Sequence, residues 1–99
     1  MLNHVVLVTL NEGVPEKQVA AALEALVALP AAIPQIRSFD CGRNAGLNPN
    51  SVDMALVAKF DTVEDYNAYR QHPVHQAFGR DHLLPISQTR TIIQFYSQD

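Results

Sequence analysis

Ninety-nine residues suffice for one domain, residues 1–99, and leave no room for a second core. Hydrophobic residues make up 47% of the chain and charged ones only 17%, against roughly 25% charged in an average soluble domain. A domain this small keeps much of its surface in view, so the apolar surplus points to self-association. Seven basic and ten acidic residues give a net charge of −3 with no basic stripe, which argues against nucleic acid as a partner. The single cysteine, Cys41, cannot form an intrachain disulfide, so nothing requires an oxidising compartment. The first ten residues read as a strand rather than a leader, and no segment is long enough to span a bilayer. A cytoplasmic protein with no membrane partner is the expectation.

Leu2 to Leu10 reads as a strand with Leu2, His4, Val6, Val8 and Leu10 on its even face and Val5 and Leu7 on its odd face. Both faces are apolar in the middle, so both need cover. After Asn11-Glu12-Gly13, Pro15 opens a helix whose apolar stripe is Val19, Leu23, Leu26 and Val27. Pro30 and Pro34 end that helix. Ile36 to Cys41 alternates as a second strand closed by Gly42. Arg43 to Asn50, with three Asn, one Gly and one Pro, is a turn. Val52 to Phe60 is the third strand, with Val52, Met54, Leu56 and Phe60 on one face.

Thr62-Val63-Glu64-Asp65 resembles a capping box and starts a helix carrying Tyr66 and Tyr69. Pro73 breaks that helix and fits the first turn of a second helical piece reaching Phe78. Leu83 to Ser87 connects to a last strand at Thr91 to Tyr96. The order β-α-β-β-α-β is that of an α+β, ferredoxin-like protomer, a four-stranded antiparallel sheet with helices on one face. The helices cannot reach the other face, and a second copy of the chain is its natural cover. The expected assembly is a homodimeric α+β barrel.

Phosphate-loop, zinc-protease and nucleophile-elbow patterns are missing from the sequence. Reactive groups concentrate instead in Tyr69-Arg70-Gln71-His72-Pro73-Val74-His75. His72, before a proline, reads as the end of one helix and a cap on the next rather than as a catalyst. The kink at Pro73 can turn Tyr69 and His75 toward one hollow between helix and sheet. There an imidazole can exchange a proton near neutral pH while a tyrosine hydroxyl orients a substrate oxygen. The alternative is that the two only satisfy buried hydrogen bonds, and spacing does not separate these readings. His4 is either a packed core residue or a second polar group on the same hollow. Tyr66 and Phe78 read as core, and Cys41 as a small apolar group. A zinc site from His72, His75 and His82 has no supporting spacing.

His4-Val-Val-Leu, Ile33-Pro-Gln-Ile, Gly42-x-Asn44, the third strand and above all Tyr69-x-x-His72-Pro73-x-His75 resemble the Dabb family, the stress-responsive dimeric α/β-barrel domains. The resemblance runs from His4 to Phe95 and implies a ferredoxin-like protomer that forms a homodimer. One plant branch of that family cyclises linear polyketides. There the histidine matching His75 is the acid/base, the tyrosine matching Tyr69 is its partner, and the residue matching His4 lies at the cavity. This chain departs from that branch at Met54, where the cyclases place another pocket histidine, and at Arg70-Gln71, which replaces an apolar pair. Some relatives also hold a cation on main-chain carbonyls in the stretch that matches Pro30 to Ile36. The candidate catalytic residues are therefore His75 and Tyr69, and the candidate substrate contacts are His4, Met54, Phe78 and His72, with no cofactor and no metal. The expected function is binding of a small organic molecule, with cofactor-independent acid/base chemistry of the cyclase, isomerase or lyase kind. The alternative is a non-enzymatic, stress-associated dimer or metabolite-binding protein. A weaker third reading borrows haem or monooxygenase chemistry from other α+β barrels.

Overall fold

The computed structural model describes residues 1–98. Strand β1 (Leu2–Leu10) is followed by helix α1 (Glu16–Val27), the one-turn helix α2 (Leu29–Ala32) and strands β2 (Ser38–Arg43) and β3 (Met54–Phe60). Helix α3 (Val63–Gln71) then breaks into α4 (Pro73–Phe78), which runs through a π-helical turn (Gly79–Leu83) and a 3-10 turn (Leu84–Ile86) into β4 (Ser87–Tyr96). The four strands form one antiparallel sheet in the order β2-β3-β1-β4, as the ferredoxin-like reading requires. No helix among the described residues is long and apolar enough to cross a membrane.

Side-chain alternation along β1 decides what each face does. Its even residues Leu2, His4, Val6 and Val8 face the helices and lie opposite Phe60, Ala58, Leu56 and Met54 of β3. Val19, Ala22 and Leu26 of α1, Leu29 of α2, Tyr69 of α3 and Phe78 of α4 close over them to make the core. On the odd face no helix lies over Val5, Leu7, Ala55 or Val57, which stay half-buried. On β4 the same face carries Ile93 and Phe95, 56% and 47% exposed. An apolar strip thus crosses three strands of a single copy without cover.

Several boundaries differ from the expected ones. Pro30 does not end a helix; it occupies the first turn of α2, where its missing N–H has no helical acceptor to serve. Pro15 is the cap residue of α1 rather than its first helical residue. The second strand starts at Ser38 because the Ile36 N–H is taken by the Ile33 carbonyl in a turn (3.2 Å). It runs past Gly42 to Arg43, whose partner is Met54, so β3 also starts two residues after Val52. Helical turns fill most of the expected connection, through Ile86, and β4 starts at Ser87. Its polar stretch Ser87–Arg90 is a strand because its backbone pairs with β1 across a bulge at Thr9/Leu10. Thr62 caps α3, its hydroxyl accepting from the Asp65 N–H (3.1 Å).

Phe60 is fully buried, with Tyr66 and Tyr69 at 5.7 and 5.1 Å between ring centroids. Phe60→Ala would leave a cavity where the sheet meets α3 and should cost about 3–5 kcal/mol. The expected result in urea unfolding is a lower midpoint with an unchanged slope.

Candidate functional site

A cavity of about 150 Å³ lies between the sheet and the α3–α4 pair, bounded by His4, Val6 and Leu56 from the strands and Tyr66, Tyr69, His75 and Phe78 from the helices. Arg70, Arg90 and Ile92 also line it. Arg90 and Ile92 stand opposite Val8 and Val6 in the β1·β4 register, so they face the helix side, yet both are exposed. The helices stop short of β4, and the hollow opens along that strand.

The break at Pro73 shapes the helical wall. His72 is extended (φ −64°, ψ 132°), and its Nδ1 accepts the Val74 N–H at 3.1 Å, capping α4. In an unbroken helix that N–H would serve the Arg70 carbonyl. Here the Arg70 carbonyl accepts instead from Nδ1 of His75, 3.2 Å away. A carbonyl only accepts, so the His75 proton is on Nδ1 and the lone pair is on Nε2. The His75 ring packs 4.2 Å from that of Tyr69.

His4 has the opposite arrangement. Directly across the ladder, Gln94 donates its amide N–H to His4 Nδ1 (2.9 Å), which leaves the His4 proton on Nε2. The same Gln94 nitrogen lies 3.4 Å from the Tyr66 hydroxyl. His4 is 6% exposed. Burial, followed by the charges of His75 and Arg70, lowers its pKa to about 4. His75 is also lowered, chiefly by burial and further by Arg70 and His72, against the hydrogen bond to the Arg70 carbonyl. Tyr69, 1% exposed, is held well above the usual phenol range by burial and by Tyr66. At neutral pH the cavity therefore offers a neutral base (His75 Nε2) and two neutral donors (His4 Nε2–H and the Tyr69 hydroxyl).

Of the six residues expected at the site, His4, Tyr69, His75 and Phe78 meet on this cavity, while Met54 and His72 do not. Met54 has the right parity but pairs with Val8, beyond Leu56, and is packed into the core. His72 is engaged as the α4 cap. His82 stacks on Phe78 at 6.3 Å, and among the described residues no three His, Cys, Asp or Glu side chains gather as a metal site. Tyr66, Arg70, Arg90 and Gln94 were missed as wall or positioning residues. For Tyr66 the signal was present, one helical turn before Tyr69; for Gln94 it is a strand register that no local pattern encodes. A larger groove of about 430 Å³ runs between α1–α2 and α4 past Ala25, Leu29, Val74 and Ala77; it shares Phe78 with the cavity but neither His4, Tyr69 nor His75.

The family model described as Stress responsive A/B Barrel Domain (Dabb) matches residues 2–97. An uncharacterized protein from Streptomyces coelicolor is 37% identical over 79 residues, which span 78% of this chain and 81% of that protein. A dimeric ferredoxin-like protein of unknown function from Thermobifida fusca superposes with a TM-score of 0.90 at 33% identity, over 97% of this chain and 90% of that one. Hydroxynitrile lyase from Passiflora edulis superposes with a TM-score of 0.85 over 99% of this chain and 94% of its own, and at 14% identity this likeness is one of fold alone.

The lowered His4 pKa carries a sign for stability. In the unfolded chain His4 titrates near 6.5 and in the folded protein near 4. Between those values the unfolded state binds more protons, so the stability due to a neutral His4 is full above about pH 6.5 and is lost as pH falls toward about 4. His75 acts in the same direction. The melting temperature should fall over that window, and His4→Gln should make the fall shallower; equal slopes for the two proteins would contradict the assignment.

Proposed function

The chain belongs to the stress-responsive A/B barrel (Dabb) family, and from that premise we propose a homodimer whose cavity binds a small organic molecule and transfers a proton on it without a cofactor. The observation that carries this reading is the pair of neutral imidazoles of opposite tautomer on one cavity, His75 with a free Nε2 lone pair and His4 with an Nε2–H. On this reading His75 removes a proton from a carbon beside a carbonyl, or from a hydroxyl. His4 Nε2–H and the Tyr69 hydroxyl donate to the oxygen on which negative charge develops. The Arg70 carbonyl, still bound to Nδ1–H, steadies the imidazolium that forms. His75 then returns the proton at a second position, which completes an isomerisation, an aldol-type cyclisation or a lyase step. Burial suits this use, because both rings stay neutral at the pH where a base and a donor are needed.

Deuterium exchange in D₂O tests the chemistry before the natural substrate is known. Small ketones, 2-oxo acids and phenols are incubated with the protein, and loss of exchangeable C–H signal is followed by NMR. At least one class should exchange above the buffer rate, and His75→Ala should reduce that rate by ~10²–10⁴-fold. An unchanged rate in His75→Ala would remove the base from the proposal. Exchange at the buffer rate for every compound, with a ligand still bound in the cavity, would favour a metabolite-binding protein without turnover.

The dimer is supported by the uncovered apolar strip and by the dimeric state of relatives such as that from Thermobifida fusca. Light scattering at micromolar concentration should give about twice the 10.9 kDa chain mass. Replacing Ile93 and Phe95 by Glu should shift the mass toward one copy, because charge would replace the β4 part of the apolar strip.

A further inference from the structure

Two arginines make the cavity mouth cationic. Arg70, from the last turn of α3, and Arg90, from β4, both line the hollow, and among the described residues no Asp or Glu lines it with them. Every other arginine of the chain is paired: Arg37 with Asp61, Arg43 with Glu16 and Arg80 with Asp81. Arg70 and Arg90 hold no carboxylate among the described residues. Arg70 lies instead over the Tyr66 ring, its guanidinium carbon 5.8 Å from the centroid.

This placement runs against the composition, since acids outnumber bases by ten to seven. Behind the two guanidiniums the walls are apolar, formed by Val6, Leu56 and Phe78, and the reactive imidazoles there are neutral. A planar guanidinium binds a carboxylate through two parallel N–H donors, and does so best where water is partly excluded. We propose that this site selects a small organic acid, with its carboxylate at the mouth on Arg70 and Arg90 and its carbon body inward against His75 and Tyr69. This rests on the reading of the cavity as a binding site. It adds the substrate class: a carboxylate-bearing carbonyl or phenolic compound of a size that suits about 150 Å³.

Matched acids and amides separate the two ideas. Acetate, pyruvate and benzoate are titrated against acetamide, pyruvamide and benzamide, following the NMR resonances of Tyr69, His75 and Phe78. At least one acid should bind roughly tenfold more tightly than its amide, the worth of a charge-assisted hydrogen bond. Arg70→Gln and Arg90→Gln should each weaken the acid by a similar factor and leave the amide unchanged. Both side chains are exposed, so the variants should fold, which an otherwise unaltered spectrum checks. An acid and its amide binding equally well would overturn the inference while keeping the cavity as a binding site. So would an acid preference that survives both substitutions. Binding of none of the six compounds would overturn both readings.

Discussion

Proline 73 has no N–H, and its ring cannot sit in the interior of a continuing helix, so α3 stops at Gln71 and the backbone must settle its hydrogen bonds anew. The Tyr69 carbonyl, deprived of a proline N–H, accepts from the His72 N–H at 3.2 Å. The Val74 N–H turns to the His72 ring, and the Arg70 carbonyl is left for the ring of His75. Each substitution of one partner for another follows from the first. Together they fix where His75 sits, which nitrogen carries its proton, and its contact with Tyr69. The spacing Tyr-x-x-His-Pro-x-His is therefore a hydrogen-bond scheme as much as a list of reactive groups: one histidine caps so that the other can face the cavity.

The opposite wall depends on strand parity. β1 is central in the sheet, and its even residues supply both the core and His4, while its odd residues supply the uncovered apolar strip. A slip of one residue would carry His4 out of the cavity and bury Val5 and Leu7 against the helices. The register that makes the site and the register that exposes the strip are thus the same register. It is held firmly at the far end, where the Asp53 carboxylate accepts the Leu10 N–H (2.7 Å) and the Asp53 N–H donates to the Val8 carbonyl (2.9 Å). That clamp extends the β1·β3 pairing past Val8 and Met54, on the other side of β1 from the bulge that interrupts its pairing with β4.

Much of this was legible in the sequence because it depends on local period. Alternation in Leu2–Leu10 and Val52–Phe60, the stripe of α1 and the proline break all leave local marks, and they gave the element order and the grouping of Tyr69 with His75. What was not legible depends on pairing between distant segments. Ser87–Arg90 is polar and has no strand pattern of its own; β1 makes it a strand. Met54 has the parity of a cavity residue, but only the ladder shows that it stands beside Val8, outside the hollow. Gln94 carries no local mark at all, and its role comes from standing opposite His4 across 90 positions of sequence.

Electrostatics ties the two walls together. Burial alone would keep both imidazoles neutral, and the Arg70 charge pushes each the same way. An empty cavity thus opposes a protonated His75, which preserves the base but would also penalise the imidazolium formed when it acts. On the proposed reading, an anionic ligand resolves that conflict. Its carboxylate offsets the guanidinium charge at the mouth, and the oxyanion formed during the reaction offsets the imidazolium within. A neutral ligand would leave the arginine charge uncompensated at the moment a second positive charge appears. The same arginine would then keep His75 ready when the cavity is empty and hold the ligand that lets it react.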